Sequence, residues 1–253
     1  MCGVRLDRLT GHAVEEGRYD KAILPLGATE YHGPHLPYGT DTIAAETLAA
    51  AFAGELGHTL VLPPMPYGVS HHHLAFPWTL SLRPDTLSLV IRDIAGSLFG
   101  NGITKLLLLS AHDGNAPVAQ VAARTLSQDH HISVAVFSGW QRKSRAALAG
   151  ARAIDLDHAG QSETSLTLHA APETVRLDLA SAEANEPSGL AIDVVGSFAD
   201  VVPRGYSGAA ASGTREEGEA IVAALVSLVV PHLRLLDAHG WRAGGWMRDD
   251  SSP

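Results

Sequence analysis

The chain has 253 residues, 45% of them hydrophobic and 18% charged, a globular balance in a chain long enough to bury a core without covalent staples. Its 27 acidic and 18 basic residues give a formal net charge of -9; with no clustered Lys or Arg, nucleic-acid binding is excluded as the expected role. The single cysteine, Cys2, excludes a disulfide framework and cysteine-rich zinc sites and fits a reducing cytoplasm. The N-terminus has no apolar signal region, and the longest apolar runs, such as that from Ile221 up to Pro231, are too short to span a bilayer. A cytoplasmic protein without a membrane partner is therefore expected.

In chain order, short apolar runs alternate with longer amphipathic stretches. Ala22 to Ala28 reads as a buried strand and Ile43 to Leu56 as an Ala-rich helix. Thr59 to Pro64 is a second strand, Asp85 to Phe99 a helix and Thr104 to Ser110 a central strand. Asn115 to Ser127 follows as a helix that Pro117 confines to a first-turn start. Ile132 to Phe137 is a further strand, and Glu163 to Ala170 a short helix. Residues 176 to 214 read as a long connection with one short strand near Ala191 to Val195. Glu216 to Leu236 is a long helix that Pro231 should end or kink. This rhythm predicts one α/β domain over residues 1–253, with three layers: a mostly parallel central sheet flanked by helices.

Two polar segments sit where predicted strands run out, the edge at which α/β sheets bind ligands, and a third leads into the short helix at Glu163. In the first, residues 27–42, Glu30 and His32 are two apart and point the same way in extended chain. Gly and Pro residues wind that loop. Asp41, at the next helix start, can bridge two ions with its two oxygens, or it or Thr40 can simply cap the helix. The second segment, residues 107–115, places His112 in the same layer as Glu30, with Asp113 or Asn115 as a capping alternative. The third, residues 155–169, carries Asp155, Asp157 and His158 ahead of Glu163. That glutamate is a helix-dipole partner, a base, an acid or a further ligand. Mixed imidazole and carboxylate donors suit Zn, Mn or Fe alike.

These segments resemble the signature motifs of the creatininase (creatinine amidohydrolase) family. LPLGATEYHGPHLPYGTDT matches the first motif except at Tyr31, where Gln is usual. Ser110 to Asn115 matches the second, with Ser110 and Asp113 altered. The intervening stretch, Tyr67 to Thr79, also matches, with Trp78 in place of Gly, and Asp155 to Ser165 keeps the His-Ala-Gly of the third motif. A weaker match follows at Gly205 to Glu219. The resemblance implies a fold with two divalent ions at the carboxyl edge, often assembled into hexamers, so a homo-oligomer is expected. By position, Glu30 and His112 hold one ion, His32 holds the other and Asp41 bridges. Creatininase takes a further Glu ligand two residues past the motif histidine; that place is Gly114 here, and Glu163 or water is left to fill it.

The family chemistry implies hydrolysis of a non-peptide C–N bond in a small cyclic amide or formamide by a metal-bridged hydroxide. His158 is the expected acid, tuned by Asp157, with Ser70, His73, Asp113 and Asp155 toward a small-molecule substrate. Creatinine itself is not the expected substrate, because Ile154 and Asp113 replace the aromatic residues creatininase uses. His71 and His72 read as a solvated loop, and Trp78 either narrows the pocket or packs on it. A peptidase-like maturation enzyme and a ligand binder without turnover are the alternatives.

Overall fold

The computed structural model describes residues 4–129, 132–149, 158–181 and 195–242. Five strands form one sheet: β1 (Val4–Arg5), β2 (Lys21–Leu26), β3 (Thr59–Val61), β4 (Lys105–Ser110) and β5 (Ser133–Phe137). Their order is β1-β3-β2-β4-β5 and every pairing is parallel. The helices are α1 (Gly11–Gly17), α2 (Thr40–Leu56), α3 (Pro84–Gly100), α4 (Ala116–Asp129), α5 (Trp140–Ala149), α6 (Gln161–Ala170), α7 (Phe198–Val201) and α8 (Arg215–Ala238).

Alternation along the central strands builds two cores. Ile23, Leu107 and Leu109 face Leu48 and Phe52 of α2, with Trp140, Leu166, Ile221 and Leu225 behind them. Leu24, Leu26, Leu106 and Leu108 face the opposite way, onto Leu87 and Ile91 of α3 and Ala119 and Leu126 of α4. Both faces of β2 and β4 are thus covered, as the near-continuous apolar runs of a parallel sheet require. Pro25 is unusual in so central a strand, because it lacks a ladder donor. Its carbonyl accepts from Met65 at 2.9 Å, on the β3 side and past the last residue of β3. Its nitrogen faces the same way, so the ladder to β4 is untouched.

From β2 the chain passes to β3 on one side, then crosses to β4 on the other. The carboxyl ends of β2 and β4 therefore form a topological switch point, where connecting loops diverge and leave a crevice. At the amino edge the charges are paired: Lys21 lies 2.8 Å from Asp20 and 3.4 Å from Asp237, and Lys105 lies 2.7 Å from Asp20.

α8 runs through Pro231 without ending there. Pro231 and Ser227, whose carbonyl loses its partner, are both on the exposed side, so solvent can satisfy that carbonyl. α8 is the one described helix long and apolar enough to cross a bilayer, yet it packs on α2, α5 and α6 and buries Ile221, Leu225, Val230 and Leu233. Gly218 is where it meets α6: a Cβ there would lie 2.1 Å from the Ser165 carbonyl oxygen. Gly218→Ala pits a helix-propensity gain of about 1 kcal/mol against an overpacking cost of about 1–3 kcal/mol. Because the obstacle is backbone, the cost wins and a lower melting temperature is expected.

The strand expected near Ala191 to Val195 lies almost wholly outside the described residues. The described flanks of that connection hold only 3-10 turns and α7.

Candidate metal centre

The loop after β2 returns Glu30 and His32 to the crevice, and the first turn of α2 adds Asp41. Asp41 does not cap: Gly39 takes the cap position, no side chain caps it, and Thr40 donates instead to the Pro37 carbonyl at 2.7 Å. His112 stands one residue before a 3-10 turn that leads from β4 toward α4. Asn115 ties the two strand ends together, donating to the Gly27 carbonyl and accepting from the Val69 amide.

Asp41 is the hub. Its Oδ1 lies 3.5 Å from His32 Nε2, and its Oδ2 lies 3.2 Å from His112 Nδ1. Glu30 Oε1 lies 3.4 Å from His112 Nδ1. Glu163 Oε2, from α6, lies 3.7 Å from His32 Nε2. Among the described residues three overlapping donor sets result, each with its atoms within 4.8 Å of one another: Glu30, Asp41 and His112; His32, Asp41 and Glu163; and Glu30, His32 and His158.

The imidazoles are fixed from outside the cluster. His32 Nδ1 donates to the Glu30 carbonyl at 3.0 Å, and His112 Nε2 donates to the Val69 carbonyl at 2.9 Å. A carbonyl only accepts, so the other nitrogen of each neutral ring presents a lone pair inward, the arrangement that orients metal-binding histidines. Glu30 Oε2, His32 Nε2 and Asp41 Oδ2 are buried with no hydrogen-bond partner. Buried polar atoms without partners are costly, and divalent cations would satisfy all three.

The electrostatics agree. Burial works against a charged His32, but Asp41, Glu163 and Glu30 more than reverse this and raise its pKa to about 10. Burial likewise opposes charge on His112, and Glu30 and Asp41 raise it to about 10. Burial pushes Glu30 up despite the pull of His112. Asp41 is held below the usual carboxylate range, because the charges of His32 and His112 outweigh its burial. A pocket that draws protons so strongly also draws cations.

His158 is brought into the cluster. Its Nε2 donates to the Tyr31 carbonyl at 2.9 Å, and its Nδ1 faces Glu30 Oε1 at 3.8 Å. Asp155 and Asp157 lie outside the described residues. Ser70 is fully buried, with its hydroxyl 3.3 Å from His112 Nε2, while His73 is buried against His158 and Phe198, 3.7 Å from Glu30. Asp113 is exposed at the start of the 3-10 turn.

Of the three consecutive histidines, His71 is exposed as expected, but His72 is half-buried and stacked on His112 at 5.8 Å. The 3-10 turn His71–His73 winds it back over the site, which the solvated-loop expectation missed. Trp78 does not pack into the protein: it is 81% exposed, at φ +60°. Tyr31 instead fills an aromatic cluster, 5.3 Å from Phe76 and 6.0 Å from Tyr38.

Two contributors were not anticipated from sequence. Gln141 of α5 donates to Glu163 Oε1 at 2.8 Å. Ser207 accepts from the His158 amide and donates to its carbonyl. The weak motif match at Gly205 to Glu219 was the available signal for Ser207; none pointed to Gln141.

Comparison with known proteins places this geometry. A mycofactocin precursor peptide peptidase from Mycobacterium ulcerans (strain Agy99) is 33% identical over 214 residues, covering 81% of this chain and 80% of that one. A creatinine amidohydrolase from Pseudomonas putida is 31% identical over 175 residues, covering 62% and 66%. A crystal structure of creatininase superposes with a TM-score of 0.78 at 27% identity, covering 92% of this chain and 97% of that one; manganese and zinc–zinc forms of creatininase share the fold at 26% identity and TM-scores of 0.77, each covering 98% of its own chain and 92% and 93% of this one. The family model for creatinine amidohydrolase matches residues 7–233, a span that contains every donor described above, and the chain accordingly belongs to the creatininase family of hydrolases.

Proposed function

We propose that this chain hydrolyses an amide bond within a small peptide, with two divalent ions held by Glu30, Asp41 and His112 and by His32, Asp41 and Glu163. The observation that carries the metal reading is Asp41, whose two oxygens face two different donor sets. Bound there, such ions would make a water more acidic and polarise the scissile carbonyl. Among this chain's own groups, burial keeps His158 neutral, well below the ordinary imidazole range. With Nε2 committed to the Tyr31 carbonyl, its Nδ1 lone pair is the atom that takes a proton from the attacking water. The same nitrogen returns it to the departing amine as the C–N bond breaks.

The peptide reading draws on the peptidase relative and on the segment from Tyr67 to Leu80. That segment turns Ser70 and His73 inward and Tyr67, Leu74, Trp78 and Leu80 outward, offering apolar contact to a substrate longer than a single ring. A small cyclic amide or formamide is the second reading, favoured by the likeness to creatininase, one form of which was solved with creatine. Measuring bound metal, then chelating and reloading with Mn²⁺ or Zn²⁺, precedes a parallel assay of short peptides, lactams and formamides. New amino termini from peptides are expected. Turnover of lactams or formamides alone moves the substrate to the second reading. Two bound ions with no turnover of either class leave a non-catalytic binder and overturn the hydrolase.

Trp78→Gly gives a separate check. Relieving a left-handed tryptophan is expected to raise stability by about 1 kcal/mol, while KM for the peptide rises and kcat holds.

A further inference from the structure

His35 comes from the same loop as Glu30 and His32, yet belongs to none of the three donor sets. It is almost fully buried, and its Nε2 lies 3.0 Å from the Ala159 carbonyl and 3.2 Å from Thr164 Oγ1. Its Nδ1 has no hydrogen-bond partner. An apolar side chain of similar size would avoid stranding that nitrogen, so what His35 contributes is the bond at Nε2.

The residue it grips is strained. Ala159 is fully buried at φ +51°, a conformation that costs an L-residue unless its surroundings impose it. Among the described residues, three contacts hold this turn. The Ala159 amide donates to Glu163 Oε2 at 2.6 Å, His35 holds the Ala159 carbonyl, and Ser207 holds both backbone groups of His158. One turn thereby aims His158 at Glu30 and fixes the Glu163 oxygen that faces His32. Ser207 secures its entry and the His158 ring reaches the Tyr31 carbonyl, while the Ala159 carbonyl itself is held by His35.

We propose that His35 is a positioning residue of the hydrolytic site, holding His158 and Glu163 in place through the Ala159 carbonyl. The inference rests on the metal-dependent reading above.

The test compares His35→Met, which removes the donor at similar size, with His35→Gln, whose side-chain amide nitrogen mimics Nε2. Metal per chain is measured by mass spectrometry on protein shown folded by circular dichroism, with kcat and KM measured alongside. Wild-type protein is expected to hold two ions. His35→Met should keep the ion of Glu30, Asp41 and His112, lose the one that needs Glu163, and drop ten- to a hundredfold in kcat, the usual scale for removing an outer support of a metal site. His35→Gln should restore the second ion and most of kcat. A merely structural role would lower the melting temperature of His35→Met without changing its metal count. Two ions and a wild-type rate in His35→Met, or equal defects in both variants, would overturn the proposal. If His35→Met does not fold, His35→Asn, whose amide is too short for the Ala159 carbonyl, is read the same way. Wild-type protein that binds no ions would sink the underlying reading and this proposal with it.

Discussion

Asp41→Ala is expected to empty both cation sites and to lower kcat by about three orders of magnitude, the scale seen when one preorganised transition-state group is removed. Among the described residues, Asp41 alone belongs to both proposed ion sets, facing His32 with one oxygen and His112 with the other. Glu163→Gln is the contrasting case: it belongs to one set only, so one ion should remain. Elemental analysis of the purified variants separates the two. Two ions retained in Asp41→Ala would refute the bridging role outright.

Gly114→Glu, which would restore the carboxylate creatininase carries two residues past its motif histidine, is expected to damage the site. A Cβ at this position would lie 2.2 Å from the Val69 carbonyl oxygen and 2.4 Å from His112 Nε2. Those two atoms form the bond that aims His112 inward. Moving them costs about 1–3 kcal/mol as overpacking and misdirects a ligand as well. The expected readouts are a lower melting temperature and loss of the ion held with Glu30. Gly114→Ala should show the same effects in milder form. A Gly114→Glu protein of unchanged stability and full metal content would show that the loop yields, and would reopen the assignment of Glu163 to the second ion.

Much of this architecture was legible in the residues. Leu106 to Leu109 could only be a strand buried on both faces, and the helices after β2, β3 and β4 follow from their apolar spacing. Motifs at successive strand ends put Glu30, His32, Asp41 and His112 together before any coordinates did. What stayed hidden had physical causes. β1 is two residues long and carries no periodicity. α5 opens with Trp140-Gln-Arg-Lys, a polar run whose buried Trp140 and site-facing Gln141 reveal themselves only once Glu163 is across from them. The winding of His72 onto His112 depends on a single 3-10 turn, too short to leave a pattern. Glu163 was ambiguous because a glutamate in a first helical turn is ordinarily a dipole partner; its place 3.7 Å from His32, in one donor set with Asp41, shows only in the fold.

The converging donors are strung out between positions 30 and 163 and meet only when parallel crossovers have closed. Neither donor set around Asp41 closes within one segment, since His112 and Glu163 come from later parts of the chain, so full loading is expected to follow folding. Ions bound by these donors would then behave as mass-action ligands of the finished structure. Each tenfold rise in free metal above the dissociation constant adds about 1.4 kcal/mol per ion to the resistance against unfolding, and dialysed protein should keep its shape while melting earlier.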